Sequence, residues 1–212
     1  LLGIVTVDDI IDVIREEATE EFLQMAGAGK DREILLKSIK ENSIIRAPWL
    51  LATFIGGVMS MLIVGFFSHE LSQIIALASF MPIIAGMGGN IATQSSTIIV
   101  RGIATGRVNI NELFRIVFKE MRVGLILGGL YGILLGVVSY FGYAEPRLLG
   151  LVVGLSIFFS MVMAATVGSL VPLILKRFDV DAAIATGPVV TTLIDVLGVL
   201  VYLSVAKLLL QL

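Results

Sequence analysis

Five long runs of this chain are almost free of charge, and they limit what it can fold into. Residues 48–67, 71–100, 123–144, 148–175 and 182–206 contain 20, 30, 22, 28 and 25 residues, and Asp195 is the only Asp, Glu, Lys, Arg or His inside them. A bilayer core about 30 Å thick is crossed by about 20 residues of helix. Lipid offers no water to satisfy backbone groups, so at these lengths the expected form is helical. The expected fold class is an all-α membrane protein with five transmembrane helices. Composition agrees: 57% of residues are hydrophobic and 15% charged, where an ordinary soluble domain carries about 25% charge. A net charge of -2 excludes a nucleic-acid binder, which needs a basic footprint. The absence of Cys excludes disulfides, thiolate catalysis and cysteine zinc sites. The chain opens at Leu1, mid-pattern, as expected of a piece of a longer protein.

Charge is divided unevenly between the ends. Residues 1–46 carry ten acids and six bases, and residues 47–212 carry seven acids and nine bases. A short soluble segment attached to a membrane part is expected. Five crossings place the termini on opposite sides. The N-terminal side then collects 13 Lys and Arg residues against 2, Arg147 and Lys207, on the other. The positive-inside rule makes the N-terminus cytoplasmic and the C-terminus external. In the third run Gly124, Gly128, Gly132 and Gly136 recur at every fourth position, a stripe that lets another helix approach closely. Gly154, Ser160, Ala164 and Gly168 form a looser set in the fourth. No internal repeat supports an inverted-repeat transporter.

Before the membrane, residues 1–7 read as a short apolar strand and residues 8–21 as a helix with Asp8 and Asp9 at its N-terminus. Asp8, Asp9, Asp12, Glu16, Glu17, Glu20 and Glu21 face one base, Arg15. This is either a solvated helix face or a divalent-cation sensor whose repelling carboxylates a hard cation would draw together. Residues 31–46 read as a second, amphipathic helix able to lie along the membrane surface. Pro48 suits the first turn of the helix that follows, and Trp49 the interface.

Two features carry chemistry. Asp195 inside a span costs about 2.5–3.5 kcal/mol to insert at the helix centre. Such a residue faces a bundle interior or a water path. It serves as a cation site, as a proton relay, or as a protonated partner to a neighbouring helix. The second feature runs from Pro82 to Thr97. Gly86, Gly88 and Gly89 permit close approach and can leave carbonyls turned outward. Asn90, Thr93, Gln94 and Thr97 follow at helical spacing on one polar face. Gly89 lies 12 residues from Arg101, and Asp195 lies 14 from Asp181. At 1.5 Å per residue both fall roughly 18–21 Å from the cytoplasmic surface, in one layer. Thr191 and Thr192 would extend that lining, with Gly187 and Pro188 at the helix start. Every donor is oxygen, which favours hard cations. His69, the sole His, lies in an outer loop and reads as an interface residue. One Asp supplies one charge, and two copies about a twofold axis would match a divalent ion.

These motifs, Pro82 through Gln94 and Gly187-Pro188 with Thr192-Leu-Ile-Asp195, resemble the transmembrane domain of the MgtE family of magnesium channels. The stretch from Gly3 to Asp9, with Thr6 and Asp9 at ribose-contacting spacing, resembles the end of a CBS domain. The resemblance implies three parts: residues 1–29 as the tail of a cytosolic CBS-type sensor, 30–47 as an amphipathic connecting helix that plugs the pore, and 48–212 as a five-helix pore domain. It implies a homodimer in membrane lipid of the cytoplasmic membrane, with a pore on the dimer axis. It further implies Mg2+ as the transported ion and ligand, and closure at high cytosolic Mg2+. Carried over by position, Asp195 is the selectivity carboxylate holding hydrated Mg2+. Carbonyls of Gly86, Gly89 and Thr191 assist, and Asn90 and Thr93 line the same site. Members of the family can carry Asn where this chain has Thr93 and Gly187.

The competing reading is an ion-coupled divalent-cation transporter or exchanger in which Asp195 also takes up H+ or Na+. An enzyme is not expected, because the spans contain no second acid, Cys or His to work with Asp195. A purely structural anchor leaves Asp195 and Asn90 without a purpose.

Overall fold

A computed structural model describes residues 3–29, 34–109, 112–143 and 148–211. Among these residues there are seven α-helices and no strand: α1 (Val7–Met25), α2 (Ile39–Phe66), α3 (Ser68–Gln73), α4 (Ala76–Ala104), α5 (Leu113–Gly142), α6 (Leu149–Arg177) and α7 (Pro188–Leu210). Helices α2, α4, α5, α6 and α7 are long and apolar enough to cross a membrane. The strand expected over residues 1–7 is not formed by residues 3–6, and residues 1 and 2 lie outside the described residues. Instead Thr6 caps α1. Its backbone N–H and hydroxyl donate to Asp9 Oδ2 at 2.8 and 2.7 Å, and its Oγ1 accepts from Asp9 N at 3.4 Å. This reciprocal capping satisfies two otherwise orphaned donors. It accounts for the Thr6–Asp9 spacing without a nucleotide. The same bonds, led by the Thr6 N–H, hold the Asp9 carboxyl below its ordinary value.

The first span begins earlier than its uncharged run. Ser38 and Glu41 form a second capping box, with Ser38 N and Oγ donating to Glu41 Oε2 at 2.9 and 2.6 Å. From there α2 runs unbroken through Pro48 to Phe66. Residues 39–46 are therefore the opening turns of the crossing helix, and Pro48 sits inside it rather than in a new first turn. Residues 30–33 of the expected connecting helix lie outside the described residues. The last span starts later than its run. A 3-10 turn over Ala182–Ala185 precedes α7, anchored by Asp181 Oδ1 accepting from Ala183 N at 3.0 Å. Gly187 then adopts φ 65°, and Pro188 opens the helix. Proline is well suited to that position because its missing N–H would be orphaned there anyway.

Helix α6 is the hub: it packs on α4, α5 and α7, while α4 and α2 also pack on α7. One buried cluster, including Leu77, Phe80, Ile84, Val153, Ile157, Tyr202 and Leu203, fills one half of the bundle. Ile91, Ala92, Met161, Ala164, Ala165, Val190 and Ile194 fill the other. The buried Tyr202 hydroxyl donates to Leu77 O at 2.7 Å. At the end opposite α1, Lys207 Nζ donates to the buried Glu70 Oε1 at 2.5 Å and lies 5.7 Å from the Phe67 ring centroid. That bond holds the Glu70 carboxyl below its ordinary value. His69 is exposed and its Nε2 lies 2.8 Å from Gln73 Nε2.

Candidate functional site

Helices α4 and α7 meet at a glycine. A methyl placed on Gly89 would lie 3.7 Å from Asp195 Oδ1 and 4.0 Å from Thr191 Cγ2. Any side chain larger than hydrogen at Gly89 would stand over the carboxylate. Asp195 is half-buried, about two turns into α7. Among the described residues its carboxylate accepts no hydrogen bond and has no ion pair. The carboxylate thus faces a face of α4 rather than a satisfied helix contact.

That face is polar and open. Asn90 and Gln94 are exposed on α4, and Thr93 and Thr97 are half-exposed beside them. Gly86 is exposed as well, and a methyl placed there would meet nothing within 4 Å. A run of amide, hydroxyl and bare backbone on the surface of a membrane-crossing helix is costly against lipid. Helix α4 is continuous from Ala76 to Ala104, Pro82 included. Its glycines give close approach instead of freed carbonyls. Gly89 O accepts from Thr93 Oγ1 at 2.9 Å, and Gly187 O accepts from Thr191 Oγ1 at 2.9 Å. Both threonine hydroxyls spend their protons on their own helices, leaving oxygen lone pairs outward.

The six site residues read from the sequence therefore fall into two sets. Asp195, Gly89 and Thr191 come together, with Thr93 bonded to Gly89 O one turn along α4, while Gly86 and Asn90 lie on the adjoining open face of α4. Thr192 does not join them. It turns to α2, its Oγ1 3.4 Å from Thr53 Oγ1, and its Cγ2 fills the space where a Gly56 side chain would be. Among the described residues no three His, Cys, Asp or Glu side chains group as metal ligands. One chain thus offers a cation a single carboxylate and several neutral oxygens.

The N-terminal end of α7 is covered by a segment the sequence did not single out. A methyl on Gly27 would lie 2.7 Å from Pro188 Cγ, and one on Gly187 would strike Met25 O. Gly187 is thus required by its positive φ and by this contact. The turn after α1 abuts the start of α7. The Gly27-Ala28-Gly29 run was the available signal. Met25 and Ile103 also pack against the buried cluster of Val100, Ala182 and Ala183. A cavity of about 280 Å3 alongside is lined by Glu17, Glu20, Glu21, Gln24 and Asp181. Burial raises the Glu21 carboxyl above its ordinary value. Arg101 opposes this, and Asp181 and Glu17 add to it. A second buried carboxylate also escaped the hydropathy runs: Glu120 on α5 accepts from Ser95 Oγ at 2.8 Å and ties α5 to α4. A larger cavity, about 490 Å3, lies between α5 and α6. Its lining is apolar apart from Tyr140, and it shares no residue with the Asp195 layer.

Comparison with known proteins follows this geometry. A family described as a divalent cation transporter, MgtE, matches residues 81–205, from near the start of α4 to near the end of α7. The chain belongs to the MgtE family. The chain is 39% identical over 206 residues to a magnesium transporter MgtE of Bacillus subtilis (strain 168), covering 97% of this chain and 45% of that protein. It is 39% identical over 214 residues to the one from Thermus thermophilus, covering 100% of this chain and 47% of that protein. With the one from Enterococcus faecalis the identity is 34% over 208 residues, covering 98% and 45%. The chain spans about half the length of these relatives. Its five apolar helices and its place in the MgtE family make it a multi-pass integral membrane protein.

Proposed function

We propose that the chain is the pore part of a Mg2+-selective channel, passing hydrated or partly hydrated Mg2+ through a path on the axis of a homodimer. The observation that carries this is the Asp195 carboxylate set against Gly89 at the edge of an exposed polar face of α4. Relatives named magnesium transporters favour Mg2+ as the substrate. One carboxylate is a poor match for a divalent ion, and a second copy supplies the second charge while covering the polar face from lipid. Mg2+ sheds water reluctantly, so carboxylates, amides and hydroxyls that contact its water shell suffice. Selectivity then comes from the width of the opening, and attraction from Asp195.

The N-terminus faces the cytoplasm in this reading, and the turn after α1 closes the inner end by seating on Gly187 and Pro188. Cytosolic Mg2+ would relieve the repulsion among Glu17, Glu20, Glu21 and Asp181 and hold that turn in place. This assigns the plug to the end of α1 instead of the stretch at 30–47.

Mg2+ uptake into liposomes holding the parent chain or Asp195→Asn tests the reading, with no other ion gradient present. The expected result is passive uptake down the Mg2+ gradient by the parent, and a fall of about tenfold or more in the variant, as for loss of a charge-assisted contact of ~1.4 kcal/mol or more. Uptake that requires an opposing H+ or Na+ gradient would establish the exchanger instead. Equal uptake by both proteins would remove Asp195 from the path.

A further inference from the structure

Ser160 lies midway along α6 and is fully buried. A methyl on Gly88 of α4 would lie 3.1 Å from Ser160 Oγ, and one on Gly198 of α7 would lie 3.3 Å from the same atom. Gly88 precedes Gly89, and Gly198 follows Asp195 by one turn. One small side chain thus touches both walls of the candidate site from behind, at the layer of the carboxylate. Gly88 has no slack on its other side, where Ile194 Cγ2 would lie 3.1 Å from an added methyl.

Among the described residues the Ser160 hydroxyl has no hydrogen-bond partner. Two other serines of the same helix are satisfied: Ser156 donates to Val152 O at 2.7 Å and Ser169 to Thr166 O at 2.9 Å. A buried hydroxyl left unpaired is a cost, so bonding is not what Ser160 contributes. Its volume and location remain. Close-packed interiors respond to a single methylene, and crowding displaces backbone when no rotamer relieves it.

We infer that Ser160 is a positioning residue of the permeation path, a spacer that fixes the separation of α4 from α7 and so the opening beside Asp195. The inference rests on the reading of α4 and α7 as the pore walls. A spacer acts on ion size, so its signature is a changed preference between Mg2+ and a larger ion such as Ca2+, not merely a slower rate.

The test uses the full chain in liposomes, with Mg2+ and Ca2+ uptake measured on Ser160→Ala, Ser160→Val, Gly198→Ala and the double variant Ser160→Ala/Gly198→Ala. Ser160→Ala removes the atom on which both walls rest and should shift the Mg2+-to-Ca2+ ratio toward Ca2+ by about twofold or more, because the space left behind lets α4 and α7 resettle. Gly198→Ala and Ser160→Val should shift it by about fivefold or more, and adding Ser160→Ala to Gly198→Ala should bring it back within about twofold, as contacting residues couple. If Ser160→Val fails to accumulate in the membrane, the Gly198→Ala pair decides. A ratio unmoved by Gly198→Ala, no recovery in the double variant, or a ratio unmoved by Ser160→Ala would each overturn the inference. Asp195→Asn run in parallel separates the two failures. Loss of uptake there with an unmoved ratio here defeats only the spacer, whereas unchanged uptake there defeats the pore reading beneath it.

Discussion

The α5–α6 seam and the α4–α7 face are both built on glycine, yet they do opposite things. On α5 a methyl at Gly132 would lie 2.7 Å from Gly154 O, and one at Gly136 would lie 2.9 Å from Gly150 O. Backbone closes on backbone there. On α4, Gly89 meets the Asp195 carboxylate and Gly86 meets open space. Glycine periodicity therefore announces a close approach without saying what approaches. The partner helix decides: α6 brings its own small residues and carbonyls, and α7 brings the one acid of the five uncharged runs. A seam of the first kind holds a membrane bundle together, and a face of the second kind invites a water-borne cation.

That contrast can be broken by exchanging the expected effects. The largest is at the seam. Gly132→Val should destabilise the bundle by roughly 1–3 kcal/mol through overpacking against backbone that cannot yield. It would be seen as a lower melting temperature in detergent, with the Mg2+-to-Ca2+ preference of the surviving protein unchanged. Gly86→Ala should do the reverse, leaving melting within about 0.5 kcal/mol of the parent because the added methyl meets nothing, while reducing Mg2+ uptake. A variant pair that behaved the other way round would dissolve the distinction.

Smaller effects sharpen it at the two ends of the bundle. The Glu21 carboxyl is raised by burial and by its acidic neighbours. A raised acid binds protons more readily when docked than when free, so docking of the α1 end strengthens as pH falls from the raised value toward the ordinary Glu value, and levels off below it. Protection of residues 20–29 from hydrogen exchange, corrected for the intrinsic pH dependence of exchange, should rise as pH falls toward the ordinary Glu value, and Glu21→Gln should flatten that rise. Glu70 is shifted the other way by its bond from Lys207. Its contribution is present above the ordinary Glu value and is lost as pH falls through the lowered one. Glu70→Gln should lower the melting temperature slightly at neutral pH and not at all in strong acid.

The five crossings were legible because burial in lipid demands long uncharged runs, and the same logic exposed Asp195. The ends were not. Hydropathy marks where lipid contacts the chain, whereas helices start at caps. The Ser38–Glu41 box moved the start of α2 outward past Pro48, and the Gly187–Pro188 turn moved the start of α7 inward. The expected strand over residues 1–7 failed for the same reason, since Thr6 caps a helix. Side-chain spacing placed Asn90, Thr93 and Gln94 on one face of α4 without coordinates. It could not separate Thr191 from Thr192, because adjacent residues on a helix point about 100° apart and only the position of α2 tells which one is claimed. The docking of Met25 and Gly27 on α7, and the wedge of Ser160, depend on packing between elements distant in sequence, and no local pattern encodes them.

The account turns on whether the α4 face beside Asp195 is wet. The chain contains no cysteine, so single Cys substitutions report cleanly. Asn90→Cys and, on the exposed side of α5, Ile133→Cys can be treated in liposomes with a charged thiol reagent that does not enter lipid. The account predicts that Asn90→Cys reacts, that reaction blocks Mg2+ uptake, that Mg2+ slows it, and that Ile133→Cys stays unmodified. An Asn90→Cys variant as inert as Ile133→Cys, or one modified with uptake unimpaired, would contradict it.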